Sequence, residues 1–246
     1  MLAFLVLPLL AIFLKASPVQ LLENLTRREV IQALFLSLST TLTSTLIILI
    51  LGTPLAFAMA RRYFRFQRVI DTLVDLPIVM PPAVAGVALL MAFGRRGLLG
   101  STLELFGIQI AFTSLAVILA QIFISAPFYI KSAAVGFAGI EPELEQAASL
   151  DGAGSWENFR HVIIPLSWTA LLSGGILAWA RALGEFGATI IFAGNFPGRT
   201  QTMPLAIYIG FELDLSVALT LSVILITLSF IALLVVRLLL EIKTVD

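Results

Sequence analysis

Residues 30–60 read VIQALFLSLSTTLTSTLIILILGTPLAFAMA, without an acid or a base, and the next eight, Arg61-Arg62-Tyr63-Phe64-Arg65-Phe66-Gln67-Arg68, hold four arginines. About 20 apolar residues suffice to carry a helix across a bilayer, so this run spans with length to spare and must tilt or protrude. The arginines that follow mark their loop as cytoplasmic. Reading outward, further apolar runs lie near 2–14, 72–93, 111–130, 164–193 and 215–240, which predicts about six transmembrane helices. The first run is short, about 20 Å of helix. It is read as a retained span, the alternative being a signal sequence cleaved after Ala16-Ser17, though no basic residue precedes it.

Composition agrees. The 246 residues are 59% hydrophobic and 12% charged, against a soluble-protein norm of roughly 45–50% and about 25%. That surplus of apolar surface excludes a water-soluble enzyme. The 15 basic and 15 acidic side chains cancel, which leaves no electrostatic footprint for nucleic acid. With no cysteine and His161 the sole histidine, thiolate zinc sites, iron–sulfur ligation and HExxH are excluded, and no metal site is expected. Lys15, Lys131 and Lys243 follow Leu14, Ile130 and Ile242, so no Gly-Lys-Ser/Thr phosphate loop exists in this chain and no cofactor is expected in it. If ATP is used, another chain binds it.

The arginine cluster places both termini, the 131–163 loop and the Arg237 to Lys243 tail inside, and the 94–110 and 194–214 loops outside. The longest polar connection, 131–163, is too short for a soluble domain, so residues 1–246 are read as a single transmembrane domain.

Within that connection, Glu141-Pro142-Glu143-Leu144-Glu145-Gln146-Ala147-Ala148-Ser149-Leu150-Asp151-Gly152-Ala153 predicts a short helix with marked ends. Proline tolerates the first turn, and Glu141, Glu143 and Glu145 meet the positive end of the helix dipole. Gly152 suits the left-handed residue that closes it. Ser155 is placed to cap a second short helix, with Glu157 in its first turn, before Pro165 opens the fifth span. Helix chemistry alone fits an ordinary interfacial helix as well as a docking element whose small residues admit a partner's surface.

The spacing resembles the signature of ABC importer permeases: Glu-Ala-Ala, three residues, Gly, nine residues, Ile-x-Leu-Pro. Here Gln146-Ala147-Ala148, Gly152 and Val162-Ile163-Ile164-Pro165 keep four of seven fixed positions, with Gln146, Val162 and Ile164 replacing Glu, Ile and Leu and Glu145 keeping an acid one residue earlier. Asp75-Leu76-Pro77-Ile78-Val79-Met80-Pro81-Pro82-Ala83-Val84-Ala85-Gly86, Ala180 to Thr189 and Phe192 to Thr202 look like the molybdate branch of that family, with sulfate permeases similar but less close. The resemblance implies a type I importer permease, all-α, in the bacterial inner membrane, as a homodimer on two copies of an ATP-hydrolysing subunit. It also implies a periplasmic oxyanion-binding protein as partner, and Glu145, Gln146, Ala147, Ala148, Asp151 and Gly152 as the contact with the ATPase.

An oxyanion cannot enter hydrocarbon and needs a polar path. Ser37, Thr41 and Ser44 form one hydroxyl stripe on the second span. They either line a path or bond back to their own helix and pack helices together. Arg181 and Glu185, four apart in the fifth run, predict one helix face, as path elements or as a structural ion pair. Pro77, Pro81 and Pro82 must interrupt the third run, as a hinge or as a static kink. The rival reading is a self-contained secondary transporter or channel for an anion, in which Arg181, Glu185 or Asp75 couples ions to substrate.

Overall fold

A computed structural model describes residues 1–242; Lys243 lies outside the described residues. The helices are α1 (Leu2–Lys15), α2 (Pro18–Asn24), α3 (Arg28–Ala60), α4 (Gln67–Val79), α5 (Pro82–Phe93), α6 (Gly100–Leu105), α7 (Ser114–Ala138), α8 (Pro142–Leu150), α9 (Ser155–Leu166), α10 (Trp168–Leu183), α11 (Gly187–Phe192), α12 (Met203–Leu213) and α13 (Leu215–Ile242). No strand occurs among the described residues, so the chain is all-α as its apolar runs require.

Three helices, α3, α7 and α13, are each long and apolar enough to cross a membrane. At 33 residues α3 extends about 50 Å, well beyond the hydrocarbon thickness. Counting the bent pairs α1/α2, α4/α5 and α9/α10 as one span each brings the number to six.

The structure corrects several expected boundaries. The interruption expected in the 72–93 run falls at Pro81-Pro82, where α4 ends at Val79, Met80 is extended as the residue before a proline must be, and α5 restarts at Pro82, but Pro77 lies inside α4 and does not break it. The 111–130 run continues to Ala138, because Lys131 does not stop a helix when its ammonium meets the Asp75 carboxylate at 2.8 Å. The polar connection therefore opens at Gly139 rather than at 131. The 164–193 run ends at Leu183, where Gly184-Glu185-Phe186 leaves helical geometry, and α11 is a separate element. Its start is also displaced, since α9 begins at Ser155 and bends by 71° into α10. A π turn over Phe159–Ile163 precedes Pro165, which has no N–H to give to a regular ladder.

The chain divides into two compact units. One comprises 1–44, 81–121 and 182–231. In it α5 and α11 approach backbone to backbone: a Cβ on Gly86 would stand 2.8 Å from the Ala188 carbonyl oxygen, and one on Gly187 would stand 2.5 Å from Pro82 Cβ. Asn24 is buried and donates to Thr220 Oγ1 at 2.9 Å and Ser216 Oγ at 3.2 Å, which fastens α2 to α13. Arg27 Nη1 meets Asp214 Oδ2 at 2.6 Å. Hydrogen bonds from the Ser216 hydroxyl and then from Arg27 hold the Asp214 carboxyl down, to about 2.

The other unit comprises 45–80, 122–181 and the described residues from 232 onward. Its core gathers Ile48, Ala56, Tyr129, Phe137, Ile163 and Leu171 from α3, α7, α9 and α10. Gly136 lets α7 meet α10, since a Cβ there would stand 2.5 Å from Ala170 Cβ, and Ser132 Oγ donates to the Ala170 carbonyl at 2.8 Å.

Candidate functional site

The helix α8 begins with Glu141 as cap and Pro142 in the first position, and it closes at Gly152 with φ +93. Gly152 N–H donates to the Ser149 carbonyl at 3.1 Å and Ala153 N–H to the Ala148 carbonyl at 3.0 Å, the paired bonds of a Schellman ending. Nothing stands within 4 Å of where a Gly152 Cβ would be. Gln146, Ala147, Asp151 and Gly152 are exposed, and Ala148 is half-buried. Beside them Leu150 is 89% exposed, a large aliphatic side chain at the tip of the turn. The next helix starts at Ser155, but Gly154 rather than Ser155 is its cap, and Glu157 Oε2 accepts the Gly154 N–H at 2.9 Å. The result is a helix, turn and helix presenting small residues, Leu144, Leu150 and Trp156 outward, a shape suited to a partner's groove.

Glu145 differs from its neighbours in facing inward. Its carboxylate is paired with Arg61 at the end of α3, and the Arg61 guanidinium lies over the Phe57 ring at 5.3 Å. The Glu145 carbonyl accepts Ser149 Oγ at 2.8 Å and Asn158 Nδ2 at 3.3 Å. Asn158 is buried, and Phe159 beside it packs edge-on to Phe57 with centroids 5.2 Å apart. One residue of α8 is thus bound to α3 by charge and to α9 by an amide. Arg61 and Asn158 are functional candidates that sequence reading missed. Arg61 was read only as part of a topogenic cluster, and its partner stands 84 residues away.

The hydroxyl stripe is buried in the first unit. Thr41 Oγ1 donates to the Ser37 carbonyl at 2.7 Å, and Ser44 Oγ donates to the Thr41 carbonyl at 3.0 Å. Ser37 Oγ accepts the Met203 N–H at 2.7 Å, which ties α3 to the start of α12. Thr41 and Ser44 thus bond back to their own helix, and Ser37 bonds to a neighbouring element. Thr40 follows suit, donating to the Leu36 carbonyl at 2.8 Å and accepting from Gln121 Nε2 at 3.2 Å.

Arg181 sits in the last turn of α10, where a cation meets the negative end of the helix dipole. Glu185 does not share its helix face, because α10 ends at Leu183. Glu185 is 1% exposed, and its Oε1 accepts the Ala188 N–H at 2.7 Å in the first turn of α11. A carboxylate at that end satisfies an orphan donor of the helix. No group of three or more potential metal ligands occurs among the described residues.

The described residues hold helices long and apolar enough to cross a membrane and an exposed helix-turn-helix on one connection. The chain belongs to the family of binding-protein-dependent transport system inner membrane components, whose model matches residues 49–240. It is 38% identical over 237 residues to the probable transport system permease protein NifC of Clostridium pasteurianum, covering 95% of this chain and 82% of that one. It is 40% identical to the molybdenum transport system permease protein ModB of Mycobacterium tuberculosis, with 91% and 84% covered, and to that of Escherichia coli K12, with 72% and 78% covered. Its fold is shared with a chain of the crystal structure of a bacterial ABC transporter that imports the acidic polysaccharide alginate, at TM-score 0.73, 16% identity and 99% and 90% coverage. A chain of the inward-facing MetNI methionine ABC transporter matches at TM-score 0.64, 17% identity and 85% and 95% coverage. The chain is therefore an inner-membrane transport subunit of the ABC importer type and not an enzyme.

Proposed function

We propose that this chain is the permease of an ATP-driven importer for a tetrahedral oxyanion, molybdate first among them. It works as a homodimer in the lipid bilayer of a bacterial inner membrane, with both termini in the cytoplasm. Its partners are two copies of an ATPase subunit and a periplasmic oxyanion-binding protein. The observation that carries this reading is the exposed α8 turn on a chain whose relatives include molybdenum transport permeases.

Gln146, Ala147, Ala148, Asp151 and Gly152 form the face that seats in the ATPase subunit, with Leu150 as its apolar anchor. Glu145 is the positioning residue behind that face. Closure of the ATPase pair displaces α8, and the Glu145 contacts to Arg61 and Asn158 pass the displacement to α3 and α9. Arg181 supplies positive charge to the passing dianion, and Glu185 fixes the start of α11. Ser37, Thr41 and Ser44 hold the α3 seam.

The test is purification from membranes in mild detergent. Wild type is expected to bring an ATP-hydrolysing subunit with it, and an Ala148→Arg/Leu150→Asp variant is expected to lose it. Reconstituted complex should take up molybdate only with ATP and binding protein present. Uptake by this chain alone under an ion gradient would refute the assignment in favour of a secondary transporter.

A further inference from the structure

Two helices of the second unit end with the same bonds but different residues. Where α8 closes on Gly152, α3 closes with Arg62 N–H on the Met59 carbonyl and Tyr63 N–H on the Ala58 carbonyl, both 3.1 Å, and the left-handed position is occupied by Arg62 at φ +53. A residue with a Cβ is disfavoured there, and glycine is the usual choice. Such strain persists where the side chain is used.

The Arg62 side chain lines a cavity of about 510 Å³, together with Arg68 from the first turn of α4 and Lys131 from α7. Lys131 is paired with Asp75, and Asp71, the one acid among the lining residues, accepts from Gln67 Nε2 at 3.3 Å. Arg62 and Arg68 form no ion pair among the described residues, so the lining keeps an excess of positive charge, with Asp71 offsetting part of it. Gln67 also lines it, and its Oε1 is buried with no hydrogen-bond donor. Ala134, Val135 and Ala138 of α7 add an aliphatic part to the lining. An occupant must therefore bring a phosphate-like anion for the arginines, a hydroxyl for Gln67 and hydrocarbon for α7.

We propose that this cavity binds the headgroup of an anionic phospholipid of the glycerol type, with its phosphate on Arg62 and Arg68 and its first acyl carbons against α7. A free oxyanion satisfies the arginines but leaves the aliphatic part of the lining unused. The site stands at the arginine-rich end of a membrane-length helix, and polybasic segments beside a span attract anionic headgroups.

The experiment uses the full chain in mild detergent, with bound lipid measured by native mass spectrometry and lipid-dependent protection by thermal unfolding. Phosphatidylglycerol, phosphatidylcholine and millimolar inorganic phosphate are the probes. Wild type is expected to retain and be stabilised by phosphatidylglycerol in preference to phosphatidylcholine, and inorganic phosphate is expected not to displace it. Arg62→Gly with Arg68→Gln should weaken that binding roughly 30-fold. Arg65→Gln, outside the cavity, should leave it unchanged. Arg62→Gly should also unfold at a higher temperature than wild type when lipid-free, because the strain is relieved. If that variant does not fold, Arg68→Gln alone should still weaken binding several-fold. Three results overturn the proposal: equal loss in Arg65→Gln, which means diffuse charge; displacement by inorganic phosphate, which means a free-oxyanion site; and unchanged lipid binding with loss of a co-purifying ATPase, which means a protein-docking surface.

Discussion

Replacing Arg61 by glutamine should loosen α8 from α3 while leaving the α8 fold and its outward face intact. The two side chains of the Arg61–Glu145 pair are 20% and 22% exposed, so the pair lies between the surface and the interior. Exposed pairs are worth up to about 1 kcal/mol, and removal of one partner from a fully buried pair costs about 3–5 kcal/mol. An intermediate value of about 1.5 kcal/mol, joined by about 0.5 kcal/mol for the guanidinium over Phe57, gives about 2 kcal/mol. That lowers the equilibrium for docked α8 roughly 30-fold, with the Asn158 bond to the Glu145 carbonyl left as the remaining tie. Two readouts follow from one variant. Amide exchange across residues 142–150 should speed up by about that factor while exchange in α3 does not. In proteoliposomes the ATPase subunit should still bind and hydrolyse ATP, but molybdate carried per ATP should fall. A double-mutant cycle with Glu145→Gln isolates the pair from the ring contact, with an expected coupling of about 1.5 kcal/mol. Coupling near zero, or unchanged exchange in α8, would refute the claim that this pair transmits motion.

Gly152→Pro should separate ATP hydrolysis from transport without preventing membrane insertion. Proline removes the N–H that reaches the Ser149 carbonyl and cannot adopt φ +93, and the uptake to hydrolysis ratio reads the effect. Arg181→Ala should lower molybdate uptake at least tenfold while the complex still purifies intact; normal uptake by an intact complex removes Arg181 from the path. Asp214→Asn tests the acid limb of stability. The Asp214 carboxyl is lowered from 3.8 to about 2, so its stabilisation is complete above about pH 4 and is lost as pH falls through 2. Thermal unfolding of wild type and Asp214→Asn should therefore differ at pH 6 and converge toward pH 2.

Much of the fold was legible because hydrophobic length is an additive property of a window. The long helices α3 and α13 follow directly from runs free of breakers. Errors arose where one residue type was given the wrong weight. Lys131 looked like the end of a span, but its charge is met by Asp75 in α4 and the helix passes through it. Glu185 looked like a helix residue, but flanking Gly184 and Gly187 let the chain turn, and the carboxylate serves the next helix instead. The left-handed ending at Gly152 was legible because glycine announces it, whereas the same ending at Arg62 carries no such mark. The hydroxyl stripe was visible as spacing, but spacing does not say where each proton goes. The link from Arg61 to Glu145 joins segments far apart in the chain and had no local signal at all.

The meeting of α5 and α11 has a mechanical consequence. Contacts made through long side chains can be stretched by rotating bonds, but Gly86 faces the Ala188 carbonyl and the Ile191 side chain with no side chain of its own between them. A slip by one residue would bring Ala85 or Val87 into that space, so the pair has no soft intermediate positions. It behaves like a keyed joint: these two short helices travel together as one stiff piece, and compliance must come from the chain on either flank, as at the extended Met80-Pro81 link.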